Sequence, residues 1–380
     1  MPAKFNLFLF NVLLTTVLLT ACGEQQATEA PEAINNEAAA TVERPQPTEA
    51  PIEESAVSDV ADEAPAQDTD TCDDGLRSID SAYGPTCIPV TPERIVALDE
   101  GMMTNLLALD VTPTGVLDYA NRDFTQYLGD TTAEIASVGT PDGPNFEAIL
   151  ALEPDLILGM DFNVDEEMME TLEQIAPTAI SAAENIDWRS NFLYAGEATG
   201  KLNEAEALLE TTNTRLEAFR TAYADQAPED ETIAVIRSRA DNFNIYYTDS
   251  FISELTEEVG LQMPDSFDDL REWNYSLESI TLLTSDKLFV MVRNEDEAGM
   301  FQDMNDNPLW QTLPAAQNDE VYLVNWSVWI AGWNIIGANL AIDDLFFYML
   351  DEEAPTPNPF SDLIIDGFGP QYDEERLAID

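Results

Sequence analysis

Between Pro92 and Val116 the chain runs PERIVALDEGMMTNLLALDVTPTGV, a stretch that leaves little freedom in what it can build. Apolar residues crowd 95–98 and then recur at helical spacing through Met103, Leu106, Leu107 and Leu109, before Thr112 and Pro113 set up a turn into Gly115 and Val116. The pattern predicts strand, helix and strand, a βα unit feeding a parallel strand. A strand at 114–117, a helix from Asn145, a strand at 156–158 and an acidic helix at 164–174 extend it, so 71–193 is expected to form one α/β lobe. Such units serve many functions and by themselves name none.

A long helical pattern follows over 194–226, with apolar residues at Leu202, Ala205, Leu208, Leu209, Leu216 and Phe219 and no internal proline. Gly200 is its weak point, and Pro228 lies beyond its end. Expected strands at 232–237, 244–247 and 288–292 and helices at 251–259 and 335–350 then repeat the α/β logic over 227–350. Neither Gly-x-Gly-x-x-Gly nor a Walker sequence is present, so neither lobe looks built for a dinucleotide or ATP. Residues 351–380 form an acidic, proline-rich tail in which Phe360 and the 363–368 cluster can dock, at a place the sequence does not reveal.

The amino terminus reads as an export signal over 1–21: Lys4, an apolar run over 5–18, then Leu19-Thr20-Ala21-Cys22 as a lipobox, with Cys22 the residue to be lipidated. The alternative is an ordinary secretory signal with a chance cysteine. From 22 to 70 the chain is rich in Ala, Glu, Pro, Gln and Thr and has no aromatic residue, too little apolar surface to offset the entropy of ordering. It is expected to be a disordered acidic tether. Cys72 and Cys87, an even pair in an exported chain, favour a disulfide that pins a strap onto the first lobe, with two free thiols as the alternative.

Charge narrows the partners. With 15 Lys and Arg against 74 Asp and Glu the formal net charge is −59, a self-repelling surface suited to brine or sea water. Nucleic acid, which needs a basic footprint, is excluded as a partner. The chain also has no histidine. Ser-His-Asp and Cys-His nucleophilic machinery, His-ligated zinc and His-ligated haem are therefore ruled out. No nucleophile–base pair or metal constellation is visible, and no enzyme is expected.

Few basic residues remain to meet an anion, so their positions matter. Arg237 and Arg239 are two apart on an expected strand over 234–239, which aims both at one side near the carboxyl end, where open α/β sheets bind ligands. Arg293 follows another strand, Arg122 lies in a loop after the second strand, and Arg271 sits beside Trp273. Trp273, Tyr275, Trp326, Trp329 and Trp333 gather in the loops and last strand–helix junction of the second lobe, suited to a bulky, partly apolar ligand. Trp310 is read as packing.

The stretch Pro92 to Val116 is followed by VGTPDGPNFEAILALEPDLIL, SFISELTEEVGL, SLESITLLTSDKLFV and NPLWQTLPAAQNDEVYLV. These five blocks, in order over most of 88–350, resemble the substrate-binding proteins of ABC importers for ferric siderophores, cobalamin and haem. The resemblance implies two Rossmann-like lobes joined by a single long α-helix, only small closure on binding, a monomer, and no directly bound cofactor. It implies an Fe(III)-siderophore chelate as ligand, delivered to an ABC permease, with cobalamin or haem as alternatives. A surface-anchored interaction protein without transport is the alternative from another class.

Residue by residue, the resemblance carries cleft tryptophans onto Trp273 and Trp329. The permease-docking carboxylate of the second lobe falls on Glu254. Its first-lobe counterpart falls on Thr104, so Glu100 or Asp99 would have to substitute. Pro141 stands where the ferric-hydroxamate-binding relative has a ligand arginine and Phe162 where it has a cleft tyrosine, which puts hydroxamate specificity in doubt. The ligand-binding set expected here is Arg237, Arg239, Trp273, Trp329, Tyr275, Arg122 and Arg293.

Overall fold

A computed structural model describes residues 72–118, 120–184, 187–228, 230–247, 250–270, 272, 274–331 and 333–372, the side chains of 120–124 and 163 excepted. The signal, Cys22 and the tether lie outside these residues. The first described element is a hairpin, β1 (Leu76–Ile79) with antiparallel β2 (Thr86–Pro89). Cys72 and Cys87 are disulfide-bonded across its base, with Cα atoms 5.6 Å apart. Ile79 and Ile88 drive one face into the core, and Ala82 N–H donates to Ile180 O (2.9 Å). The bridge closes the strap on itself and does not pin it to the lobe as expected; the buried isoleucine face and the backbone bond to Ile180 hold it there.

That lobe is built from β3 (Ile95–Ala97), α1 (Glu100–Ala108), β4 (Gly115–Val116), β5 (Ala136–Ser137), the hairpin β6 (Gly139–Thr140) and β7 (Gly143–Pro144), α2 (Phe146–Ala151), β8 (Leu156–Met160), α3 (Glu166–Leu172) and β9 (Thr178–Ser181). Its sheet runs β5-β4-β3-β8-β9, and every pairing is parallel. The chain leaves β3 toward β4 and later returns on the other side to β8. The carboxyl ends of β3 and β8 therefore frame a topological switch point, the crevice where such sheets bind ligands. Strands buried on both faces read as continuous apolar runs, which is why 95–98 and 156–160 were legible.

Two helices, not one, follow. α4 (Trp188–Thr199) ends at Gly200, whose φ of +74° is left-handed, and α5 (Leu202–Gln226) starts afresh. The expected single helix over 194–226 is corrected accordingly: a glycine free to adopt positive φ ends the first helix as a C-cap. α5, 25 residues long, is the connector. At about 1.5 Å per residue it spans roughly 37 Å.

The second lobe contains β10 (Ile233–Ser238), β11 (Phe243–Tyr246), α6 (Phe251–Glu258), β12 (Asn274–Tyr275), β13 (Lys287–Val292), α7 (Glu295–Asn305), α8 (Pro314–Gln317), β14 (Val321–Asn325), α9 (Trp326–Trp329) and α10 (Ile335–Leu350). Its sheet is mixed: β10, β13 and β14 are parallel, while β11 and β12 add an antiparallel flank. The acidic excess has local uses in the first lobe and the helix that leaves it. Asp99, Asp165 and Asp187 cap α1, α3 and α4 by accepting backbone N–H bonds, each contributing about 1 kcal/mol.

One apolar core joins the inner sides of both sheets through the helices, running from Leu106 and Tyr127 to Phe219, Phe289, Trp329 and Phe346. Arg215 of α5 lies inside it, donating to Asn339 O (3.1 Å), Asn339 Oδ1 (2.5 Å) and Thr356 O (3.0 Å) and pairing with Asp343. After α10 the tail returns over this spine. Asn358 Nδ2 donates to Asp343 (2.9 Å), Phe360 is buried, and Ile365 N–H reaches Tyr127 O of the first lobe (3.0 Å). Here is the docking place that the tail's sequence left open.

Candidate functional site

Three strands of the second lobe end side by side, and each delivers one side chain to the same point. Arg237 is next to last in β10, Arg293 follows β13, and Trp326 follows β14. Both guanidinium carbons lie over the Trp326 ring, at 4.8 Å for Arg237 and 4.6 Å for Arg293. Desolvated cation–π contacts of this kind contribute about 2 kcal/mol. Two like charges over one indole repel, and Glu297, in the first turn of α7, offsets the repulsion. Its carboxylate accepts from Arg237 Nη2 (2.6 Å) and Nε (3.2 Å) and from the backbone N–H of Arg293 (3.0 Å). Ser238 Oγ donates to the Glu297 carbonyl (2.7 Å). Arg237, Glu297 and Trp326 are all buried.

The first lobe offers the opposite chemistry at its switch point. Asp99 and Glu100, directly after β3, are 3% and 5% exposed. Asp99 accepts from Met102 N–H (2.6 Å) and Met160 N–H (3.3 Å), tying the start of α1 to the end of β8. Burial pushes its carboxyl up to about 6, against the lowering effect of those backbone bonds. Burial likewise raises Tyr127, and the nearby Glu100 charge adds to it.

Side chains from the two lobes meet between these edges. Asn334 Nδ2 donates to Tyr127 Oη (3.1 Å), and Ile335 N–H donates to Asn105 Oδ1 (3.3 Å). Trp333 lies against Gly101 so closely that an added Cβ there would come within 3.0 Å of the indole. Phe162, 44% exposed, meets Trp333 edge to face at 5.9 Å. α9 packs on the 3-10 segment Ala120–Thr132, so the Trp326 end of β14 faces the first lobe.

The expected ligand set separates on this geometry. Arg237 and Arg293 come together at the edge. Arg239, just past β10 in the turn where its N–H donates to Asn242 O (2.8 Å), is exposed at the same strand end. Arg237 is not the open anchor expected: it is 7% exposed and already ion-paired. Trp329 is corrected from cleft wall to core, fully buried, stacked on Phe289 at 4.7 Å and donating Nε1–H to Asp344 (2.7 Å). Tyr275 is 5% exposed against Phe243. Trp273 and Arg271 lie outside the described residues, as does the side chain of Arg122. Glu254 is exposed in the first turn of α6, whereas Glu100 is buried and cannot serve as a surface docking carboxylate without local opening. Thr104, where the resemblance put that carboxylate, is buried as well.

The sequence reading missed Glu297. It sits four residues after Arg293 in an Asn-Glu-Asp-Glu run, where a strand end passes into a helix first turn, and such acidic runs are usually solvated. The signal was its register, not its composition. Among the described residues no three His, Cys, Asp or Glu side chains converge as a metal site, and no helix is long and apolar enough to cross a membrane.

Residues 95–325, which include Asp99, Glu100, Arg237, Arg293 and Glu297, match the model of the periplasmic binding protein family. The chain belongs to that family. Its members are substrate-binding proteins, and the described architecture is theirs. Among relatives, the Fe(3+) dicitrate-binding periplasmic protein FecB of Escherichia coli is 30% identical over 66% of this chain and 83% of its own. The probable siderophore-binding lipoprotein YfiY of Bacillus subtilis is 28% identical over 72% of this chain and 88% of its own. Among solved structures, Staphylococcus aureus SirA complexed with staphyloferrin B superposes with a TM-score of 0.61 at 26% identity, over 72% of this chain and 98% of that one.

Proposed function

We propose that the protein binds a ferric chelate of the siderophore or citrate class between its lobes and passes it to an ABC permease for iron uptake. The observation that carries this reading is the edge of Arg237, Arg293 and Trp326 at the carboxyl ends of three strands, facing the first lobe. Guanidinium groups donate charge-assisted hydrogen bonds to the oxygens of an anionic chelate, and Trp333 and Phe162 supply apolar walls. The ligand's own donor atoms hold the iron, so the protein needs no metal-ligand set of its own. The names of the relatives, dicitrate and siderophore binders, agree with it.

Two further parts belong to this proposal. The chain is exported and anchored through Cys22, with 22–70 as spacer, and Glu254 meets a basic site on the permease. Titration with ferric citrate, a ferric hydroxamate and a ferric catecholate, followed by tryptophan quenching, tests the ligand. At least one chelate should bind with a submicromolar Kd, which is about −8 kcal/mol or stronger. Binding of cobalamin with none of the three would overturn the reading. Loss of detergent partitioning in Cys22→Ala tests the anchor, and unchanged partitioning would reject it.

A further inference from the structure

Glu297 does more than brace an arginine. Three arginines stand at the second lobe's edge, and one carboxylate touches two of them: it pairs with Arg237 through both oxygens and accepts the backbone N–H of Arg293. Its exposure is 6%, so solvent and salt screen its field poorly. At the first lobe's switch point two more carboxyl groups, Asp99 and Glu100, are buried. We infer that Glu297 sets the net charge of the cationic edge and thereby selects ferric chelates of low net negative charge over strongly anionic ones. The inference rests on the reading of the cleft as a ferric-chelate site.

The physical argument is one of balance. Without Glu297 the Arg237 guanidinium would lose its ion pair while still beside Arg293 over a single indole, which would add one positive charge to the edge, favour polyanionic ligands and destabilise the empty site. With it, Arg237 is held in place and its charge is offset. A unit charge about 10 Å from a chelate, at effective dielectric constants of about 20 to 40, changes affinity roughly four- to fifteen-fold per ligand charge. Selectivity by ligand charge is a property that a purely structural ion pair would not have.

The test is a Kd series with a neutral ferric trihydroxamate, ferric dicitrate and a trianionic ferric tris-catecholate, on the full chain at fixed salt. Glu297→Gln keeps an acceptor for Arg237 and removes the charge. It should improve the catecholate-to-hydroxamate affinity ratio by at least about tenfold, the sum over several ligand charges. Glu297→Asp, which keeps the charge, should leave the ratio as in wild type. A parallel loss for every chelate, or an unchanged ratio, would overturn the inference and leave Glu297 a bracing residue. Should Glu297→Gln fail to fold, Arg239→Gln, at an exposed position, must shift the ratio the opposite way, and no shift is equally fatal. If wild type binds none of the three, the ferric-chelate reading itself fails, a result distinct from both.

Discussion

The two lobes repeat one α/β plan and end in opposite chemistry. At the first lobe's switch point the strand ends carry Asp99 and Glu100, turned inward and buried; at the second lobe's edge they carry Arg237, Arg293 and Trp326. The first sheet is wholly parallel, whereas the second gains an antiparallel flank. Position along the fold is thus shared while function is divided. In the proposed function the second lobe would grip the anion, opposite a first-lobe edge where burial holds the Asp99 carboxyl at about 6.

The comparison supposes that both edges belong to one cooperative body, and the largest effect tests that. Arg215→Ala leaves Asp343 without its cation inside the common spine, and should lower stability by about 3–5 kcal/mol in a single transition seen by calorimetry. Two separate transitions would mean that the lobes are independent and their edges only neighbours.

Asp99→Asn sharpens the contrast in charge. Burial holds this carboxyl at about 6 in the folded protein, against about 3.9 in an unfolded chain, so the native state binds the proton more tightly. Its contribution to stability is full below about pH 4 and lost as pH rises through about 6, amounting to up to about 3 kcal/mol. The amide can still accept from Met102 N–H and has no charge to desolvate. Urea unfolding should therefore show the variant gaining on wild type between pH 4 and 7; a constant difference would remove the pH dependence from this edge.

On the other side, Arg293→Ala should weaken ferric citrate binding about tenfold or more while the fold holds, since charge-assisted bonds contribute roughly 1.5–3 kcal/mol. An unchanged titration would transfer the grip to Arg239. The smallest effect belongs to the contact between the lobes: Phe162→Ala removes an edge-to-face pair with Trp333 worth about 0.5–1.5 kcal/mol, and should raise the ligand dissociation rate a few-fold in stopped-flow quenching. If that rate does not change, the pair is incidental to closure.

How much of this was legible beforehand depended on period and context. Buried parallel strands such as 95–97 and 287–292 announce themselves as apolar runs, and 335–350 as a continuous apolar helix. Gly200 was visible as a weak point, but only the backbone shows that it takes positive φ and divides the helix. The arginines were found because they are scarce and follow strands. Trp329 was misplaced because aromatic residues look alike in sequence whether they wall a cleft or, as here, stack on Phe289 and bond Asp344 inside the core. Glu297 was hidden among acids, in a chain where an acid is the least informative residue.

The tail has a consequence for how the molecule is completed. Thr131 Oγ1 donates to Leu363 O across 232 residues of sequence, beside the Ile365–Tyr127 backbone bond and the edge-to-face pair of Tyr127 with Phe368. Contacts so distant in sequence are slow to form because the whole intervening chain must first be positioned. The segment of the first lobe that faces α9 therefore acquires its final partners only after the residues near 363–368 have been made and positioned. Assembly ends at the boundary between the lobes, and the late residues fasten a surface that the early ones left unfinished.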